Sequence, residues 1–213
     1  MLLRGVRQKL VRPDHYMLMR IPEKFWDVTL ASVEQDDFRE LLKTYIKGLD
    51  ANIENGDGLL LWGNNGVGKT GGAAIIAKEV RRRACPVLFI TAKELREASL
   101  SHERFNEDYT VVQRALNVDF LVLDELGHEG STGSDHSERL MESLFRVRSA
   151  HKRPTLVTTN LKPYARTKAD ETPTMPDLYP KTMMEVFRET MHPYHVQGRN
   201  RRDPEALKKR LGV

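Results

Sequence analysis

Eight consecutive residues, Gly63-Asn64-Asn65-Gly66-Val67-Gly68-Lys69-Thr70, follow the pattern G-x-x-x-x-G-K-[ST]. The chemistry that this spacing serves is the holding of a row of phosphates. Glycines let the backbone curl so that its N–H groups point inward at phosphate oxygens. A helix beginning at the end of the loop aims its positive end at the same place. Lys69 would reach the β- and γ-phosphates, and the Thr70 hydroxyl would ligate Mg²⁺. The expected ligands are therefore ATP and Mg²⁺. A chance glycine-rich turn is the bland alternative. At average residue frequencies the pattern arises by accident in about 1% of chains this long. Here an apolar strand pattern precedes it and a helical pattern follows it, which argues against accident.

A second chemistry follows one strand–helix unit later. Phe120-Leu121-Val122-Leu123 ends in Asp124-Glu125, which puts a carboxylate at the carboxyl end of a buried strand, where α/β sheets hold ligands. Asp124 is expected to share the Mg²⁺ with Thr70. Glu125, pointing elsewhere, is expected to polarise a water for attack on the γ-phosphate. The next apolar run, Thr155-Leu156-Val157-Thr158-Thr159, ends in Asn160, whose amide could orient that water; Thr158 and Thr159 are weaker candidates. The seven histidines show no metal spacing and read as surface or loop residues. No Ser/His/Asp nucleophile arrangement stands out.

The elements that must position these residues are legible from periodicity. Residues 33–49 read as a helix, with Phe38, Leu41, Leu42, Tyr45, Ile46 and Leu49 recurring every three or four positions. Leu59-Leu60-Leu61-Trp62 and Val87-Leu88-Phe89-Ile90 read as buried strands. Residues 73–83 read as the helix after the glycine loop. Thr91 reads as the cap of a helix beginning at Ala92, with Glu94 as its partner. Residues 137–148 read as a further helix. Pro22 biases Ile21 away from helix, so residues 21–26 read as extended. Four prolines among residues 163–180 predict a long loop there. Strands alternating with helices predict a three-layer α/β fold with a mostly parallel central sheet.

Bulk properties bound the rest. The 213 residues suit one domain. No run is long and apolar enough for a membrane span, no signal-like segment opens the chain, and Cys85 is the single cysteine; a cytoplasmic location is expected. The net charge of +4 is uneven. Residues 1–20 and 198–213 are both basic, and the stretch between them is mildly acidic. Basic ends suit contact with nucleic acid, although a charge run is more often a solvated face. Lys93, the loop from His128 to His136, and the tail from Arg199 to Arg210 are candidate contacts for single-stranded DNA.

With these residues assembled, the chain resembles the AAA+ ATPases of the DnaC/DnaI helicase-loader and IstB transposition-helper group. The likeness rests on Ile21-Pro22 with Phe25, the glycine loop, and Phe120 through Asp124-Glu125-Leu126-Gly127. It also rests on His151-Lys152-Arg153-Pro154-Thr155 through Thr159-Asn160-Leu161, and on Gly198-Arg199-Asn200-Arg201-Arg202. It spans residues 21–202, which implies an AAA+ (ASCE-type P-loop) domain there. A basic arm over 1–20, a basic tail over 203–213 and little or no helical lid are expected. The resemblance further implies ATP binding, nucleotide-dependent assembly as a homo-oligomer, and contact with single-stranded DNA and with a replicative helicase or a transposase. It implies that Arg202 touches the nucleotide as a sensor-2-like residue and that Ile21-Pro22 lies near the adenine.

Three departures qualify it. Gly71-Gly72 stand where the family usually has His-Leu, and glycines weaken a helical turn by roughly 1 kcal/mol each. The family's trans-acting arginine finger falls on Val186, with Arg188 two residues later as its substitute; hydrolysis is therefore expected to be weak or to use another arginine. About twenty residues precede Ile21 where loaders carry a helicase-binding domain, so a reduced loader or a partnerless relative is expected. The reading that emerges is an ATP-binding and hydrolysing helicase-loader-like factor in DNA replication. The alternatives are an IstB-like ATPase assisting transposition and an ATP-controlled binding module with little turnover. A kinase fits Asp124-Glu125 and Thr159-Asn160 poorly.

Overall fold

The computed structural model of the chain describes residues 13–100, 106–128, 135–168 and 171–201. The helices are α1 (Pro13–Leu18), α2 (Asp36–Lys47), α3 (Leu49–Asn55), α4 (Lys69–Arg82), α5 (Ala92–Leu100), α6 (Asn106–Asn117), α7 (Asp135–Ala150), α8 (Met175–Leu178) and α9 (Lys181–Thr190). The strands are β1 (Gly58–Trp62), β2 (Val87–Thr91), β3 (Phe120–Leu126), β4 (Thr155–Thr159) and β5 (Met191–His195). They form one sheet in the order β2-β3-β4-β1-β5, and every pairing is parallel. The expected α/β class and parallel sheet are therefore observed. Among the described residues no helix is long and apolar enough to cross a membrane.

The apolar runs read as strands are buried on both faces, as a parallel sheet requires. Leu59 and Leu61 face one core with Ile76, Val80, Phe38 and Leu42. Leu60 faces the other with Leu123, Val157, Leu144 and Phe145. In register, Ile90, Leu123, Val157 and Leu60 form one row across the sheet. The Thr91–Glu94 capping box forms as read, with the Thr91 N–H 2.8 Å from Glu94 Oε2 and the Glu94 N–H 3.1 Å from Thr91 Oγ1.

Several boundaries differ from the sequence reading. The helix expected over 33–49 begins at Asp36, and a second helix, α3, follows Gly48. The extended segment holds only at Ile21–Pro22; a 3-10 turn occupies Glu23–Phe25. The loop expected over 163–180 is interrupted by α8, whose Thr174 and Asp177 form a capping box. Residues 13–20, expected in a loose arm, are packed. Tyr16 lies against Trp26, Met19 is buried, and the Met19 carbonyl accepts the Phe89 N–H at 2.8 Å, covering part of edge strand β2. The expectation for residues 1–12 and 203–213 lies outside the described residues.

Sequence patterning assigns no element to α6, α9 or β5. β5, Met-His-Pro-Tyr-His, carries a proline and two histidines, composition that disfavours a central strand. It is tolerated because β5 is an edge.

Arg148, at the last turn of α7, is 1% exposed. Its guanidinium donates to the carbonyls of Ala115, Val118 and Pro154 and to Thr155 Oγ1, each at 2.8 Å, fastening the end of α6 to the start of β4. Burial pushes it down to about 9, so it keeps its charge at neutral pH. Arg148→Met should leave those buried acceptors without donors. The expected loss is on the order of 3 kcal/mol, or roughly 6–12 °C in Tm, read by thermal unfolding. A Tm within a degree or two of the parent would show that the arginine is not a fastener.

Candidate nucleotide-binding site

The residues singled out by type and spacing converge at the carboxyl end of the sheet. Lys24, Phe25, Asn65, Gly66, Gly68, Lys69, Thr70, Glu125, Thr158, Thr159, Asn160 and Arg201 line one cleft of 330 Å³. β1 delivers the glycine loop, β3 delivers Asp124 and Glu125, and β4 delivers Thr158 through Asn160.

Lys69 is 8% exposed. Its ammonium donates to the carbonyls of Gly63 at 2.8 Å and Asn64 at 2.7 Å, and to Asn160 Oδ1 at 2.8 Å. This holds a cation at the mouth of the loop. Thr70 Oγ1 donates to Asp124 Oδ1 at 3.0 Å, and the Thr158 hydroxyl donates to the same oxygen. Asp124 is 4% exposed. Burial raises its affinity for a proton, and the two hydroxyls oppose that by favouring the carboxylate. A buried carboxylate beside a threonine hydroxyl is a set of hard oxygen donors, the kind that suits Mg²⁺.

Glu125 is exposed, next to a buried Asp124. The separation comes from the backbone. Register shifts between Leu123 and Leu126, and Glu125 takes φ 58°, the left-handed region that non-glycine residues rarely occupy. Its N–H donates to Thr158 Oγ1 at 3.1 Å. Thr158 is thus committed to Asp124 and the Glu125 turn, and Thr159 Oγ1 donates to the Leu126 carbonyl at 2.7 Å. Neither hydroxyl is spare for orienting water. Asn160 reaches the cleft, with its Nδ2 2.8 Å from Asn65 Oδ1.

Gly72 has a packing reason: a Cβ there would lie 2.5 Å from Phe38 Cζ, so a larger residue cannot sit where α2 crosses α4. The departure at 71–72 is thus partly a complement to Phe38.

Three contributors escaped the sequence reading. Lys78, 5% exposed on α4, donates to the carbonyls of Phe25 at 3.1 Å and Trp26 at 2.9 Å and to that of Val28. It thereby ties down the turn that carries Lys24 and Phe25 to the cleft. Arg201 lies over the glycine loop. Its N–H donates to the Gly66 carbonyl at 3.0 Å, and Nη2 donates to Gln35 Oε1 at 2.5 Å, while Gln35 Nε2 donates to the Val67 carbonyl at 3.1 Å. Arg201 Nε is buried with no hydrogen-bond partner among the described residues. The preceding Asn200 sits so near Gly66 that a Cβ there would be 1.7 Å from its Oδ1. His128, read as a plain loop residue, has Nε2 2.8 Å from Asn160 Nδ2. Their only sequence signals were a buried-helix lysine, one more arginine in a basic segment, and a histidine just after the acidic pair.

Arg202 lies outside the described residues. Arg188 is exposed on α9 and does not line its own chain's cleft; Val186 is half-buried against the second core.

The IstB-like ATP binding protein family matches residues 15–170. The chain belongs to this family. This IstB-like chain is similar in structure to DnaI, with a TM-score of 0.65 and 25% identity over 85% of this chain and 94% of that one. It is similar to the DnaC helicase loader at a TM-score of 0.66 and 22% identity, covering 83% of this chain and 100% of that one. A replication initiator DnaA bound to AMPPCP and single-stranded DNA shares the fold at a TM-score of 0.65 and 15% identity, with 90% of this chain but 56% of that one covered. No curated protein matches the chain. The IstB-like protein therefore has the P-loop AAA+ fold and is an ATP-binding domain.

Proposed function

We propose that this IstB-like protein binds ATP with Mg²⁺, hydrolyses it, and acts on single-stranded DNA in replication as a helicase-loader-like factor. The observation that carries the reading is the convergence of Lys69, Thr70, Glu125 and Asn160, drawn from three separate strand ends, on one cleft, with Asp124 buried behind Thr70 and bonded to its hydroxyl. The replication setting is supported by the likeness to DnaI along 94% of that chain. The family match keeps the transposition-helper role as the second reading.

In this mechanism Lys69 turns from the loop carbonyls to the β- and γ-phosphates. Thr70 and Asp124 would hold the Mg²⁺, whose charge would neutralise phosphate oxygens when bound. Glu125, exposed at the cleft, takes the proton of the attacking water, and Asn160 orients it. Arg201 Nε, buried and without a partner among the described residues, has a donor to offer the nucleotide beside the sensor-2-like role given to Arg202. Arg188, exposed on α9, makes the trans contact to a neighbouring copy in a nucleotide-dependent homo-oligomer. Lys93, exposed at the start of α5, is a candidate DNA contact. The other candidates, most of the loop before α7 and the tail beyond Arg201, lie outside the described residues.

The test is steady-state ATP hydrolysis with and without single-stranded DNA, alongside anisotropy of a labelled oligonucleotide at rising salt. DNA should stimulate turnover, and affinity should fall with a log–log slope of about −0.7 per phosphate neutralised. Absence of oligonucleotide binding at low salt with either ADP or a slowly hydrolysed ATP analogue would remove DNA from the account. Binding without turnover would leave an ATP-controlled binding module. Capture of a helicase or of a transposase from the native host separates the two cellular settings.

A further inference from the structure

We propose that His128 is a positioning residue for Asn160, holding its amide in the orientation that serves the γ-phosphate end of the cleft by accepting from it at Nε2. The inference rests on reading the cleft as a nucleoside triphosphate site.

Asn160 sits at the crossing of three contacts. Its Oδ1 accepts from the Lys69 ammonium at 2.8 Å, which makes the other end of the amide the donor. That end donates to Asn65 Oδ1 at 2.8 Å and lies 2.8 Å from His128 Nε2. An amide NH₂ has two hydrogens, and these two acceptors use both. His128 Nε2 must then be the unprotonated nitrogen, with the proton on Nδ1. The turn that carries the ring is closed by the His128 backbone N–H, which donates to the Glu125 carbonyl at 3.1 Å. Asn65, Asn160 and His128 thus form a polar chain from the glycine loop to the turn after the acidic pair, and Lys69 fixes its polarity.

Protonation reverses the logic. An imidazolium donates from both nitrogens, so Nε2–H would face the amide hydrogens. Turning the amide over would set its NH₂ against the Lys69 ammonium, donor against donor. Either outcome removes the arrangement that presents Asn160 and Lys69 together. His128→Gln is the conservative variant: its side-chain oxygen can accept from Asn160, and it leaves Glu125 in place. His128→Phe keeps a ring and removes the acceptor. His128 is exposed on a turn, so neither change threatens the fold.

Three measurements test the proposal. Long-range nitrogen–proton NMR of the nucleotide-free protein at alkaline pH should show His128 as the Nδ1–H tautomer, and Asn160→Ala should abolish that preference. The affinity ratio for ATP over ADP should fall in His128→Phe and stay at the parental level in His128→Gln. Turnover should drop roughly 10- to 100-fold in His128→Phe, as expected for a misplaced group, and recover in His128→Gln. An Nε2–H tautomer, parental turnover and selectivity in His128→Phe, or no recovery in His128→Gln would each overturn the assignment. A parent that binds no ATP would instead overturn the nucleotide reading on which the inference rests, and the tautomer measurement would still decide the contact itself.

Discussion

Lys69→Ala should bind ATP roughly 100-fold more weakly than the parent, the loss of about two charge-assisted hydrogen bonds. The ammonium is 8% exposed and already held at the mouth of the glycine loop by the Gly63 and Asn64 carbonyls and Asn160 Oδ1. In the triphosphate complex it exchanges the two loop carbonyls for phosphate oxygens, which are charged and bind it more strongly. The alanine variant loses that exchange entirely and leaves the backbone N–H groups of the loop to hold the phosphates alone. It also strips three acceptors of a donor, so thermal unfolding must accompany the titration to show that the cleft still forms. Fluorescence titration with a labelled ATP reads the affinity. A folded Lys69→Ala with parental affinity would sink the phosphate-loop reading and everything built on it.

Glu125→Gln should keep ATP bound and slow hydrolysis by about 10²–10⁴-fold, the usual contribution of a general base. The separation of roles is built into the strand end. Asp124 faces inward to Thr70 and Thr158, whereas Glu125 is turned out to the cleft by its left-handed backbone. Glutamine matches glutamate in shape and meets the same backbone demand, so the fold and the inward carboxylate are undisturbed. Only the capacity to take a proton is removed. Binding by titration and phosphate release by a coupled assay separate the two effects. Turnover at the parental rate would exclude Glu125 as the base, and loss of nucleotide affinity would show instead that it belongs to the binding set.

Much of this site was legible from the chain alone, and the reason is locality. The glycine loop is eight neighbours in sequence, and its phosphate-holding geometry is a property of those neighbours and the helix they open. Asp124 and Asn160 were legible because each ends an apolar run, and a run buried on both faces must belong to a covered parallel sheet, whose carboxyl ends lie together. The Thr91–Glu94 cap and the alternation of Leu59, Leu60 and Leu61 between two cores are likewise short-range consequences of residue type.

What only the tertiary structure decided involves partners far apart in sequence and weakly marked by type. Arg201 lies over the loop because β5 returns beside β1 and carries residues 196–201 across it; no local pattern in Met-His-Pro-Tyr-His announces that edge strand. Lys78 and Arg148 follow helical patterns in which a charged residue ordinarily faces water. They are buried because backbone carbonyls of distant segments happen to need donors there. Gly72 reads as a helix weakness until Phe38 is seen against it. His128 meets Asn160 because two strand ends are adjacent in the sheet. Sequence determined the chemistry available at each strand end. Packing decided which side chains face one another, because hydrogen-bond partners are set by distances of a few ångströms that linear order does not encode.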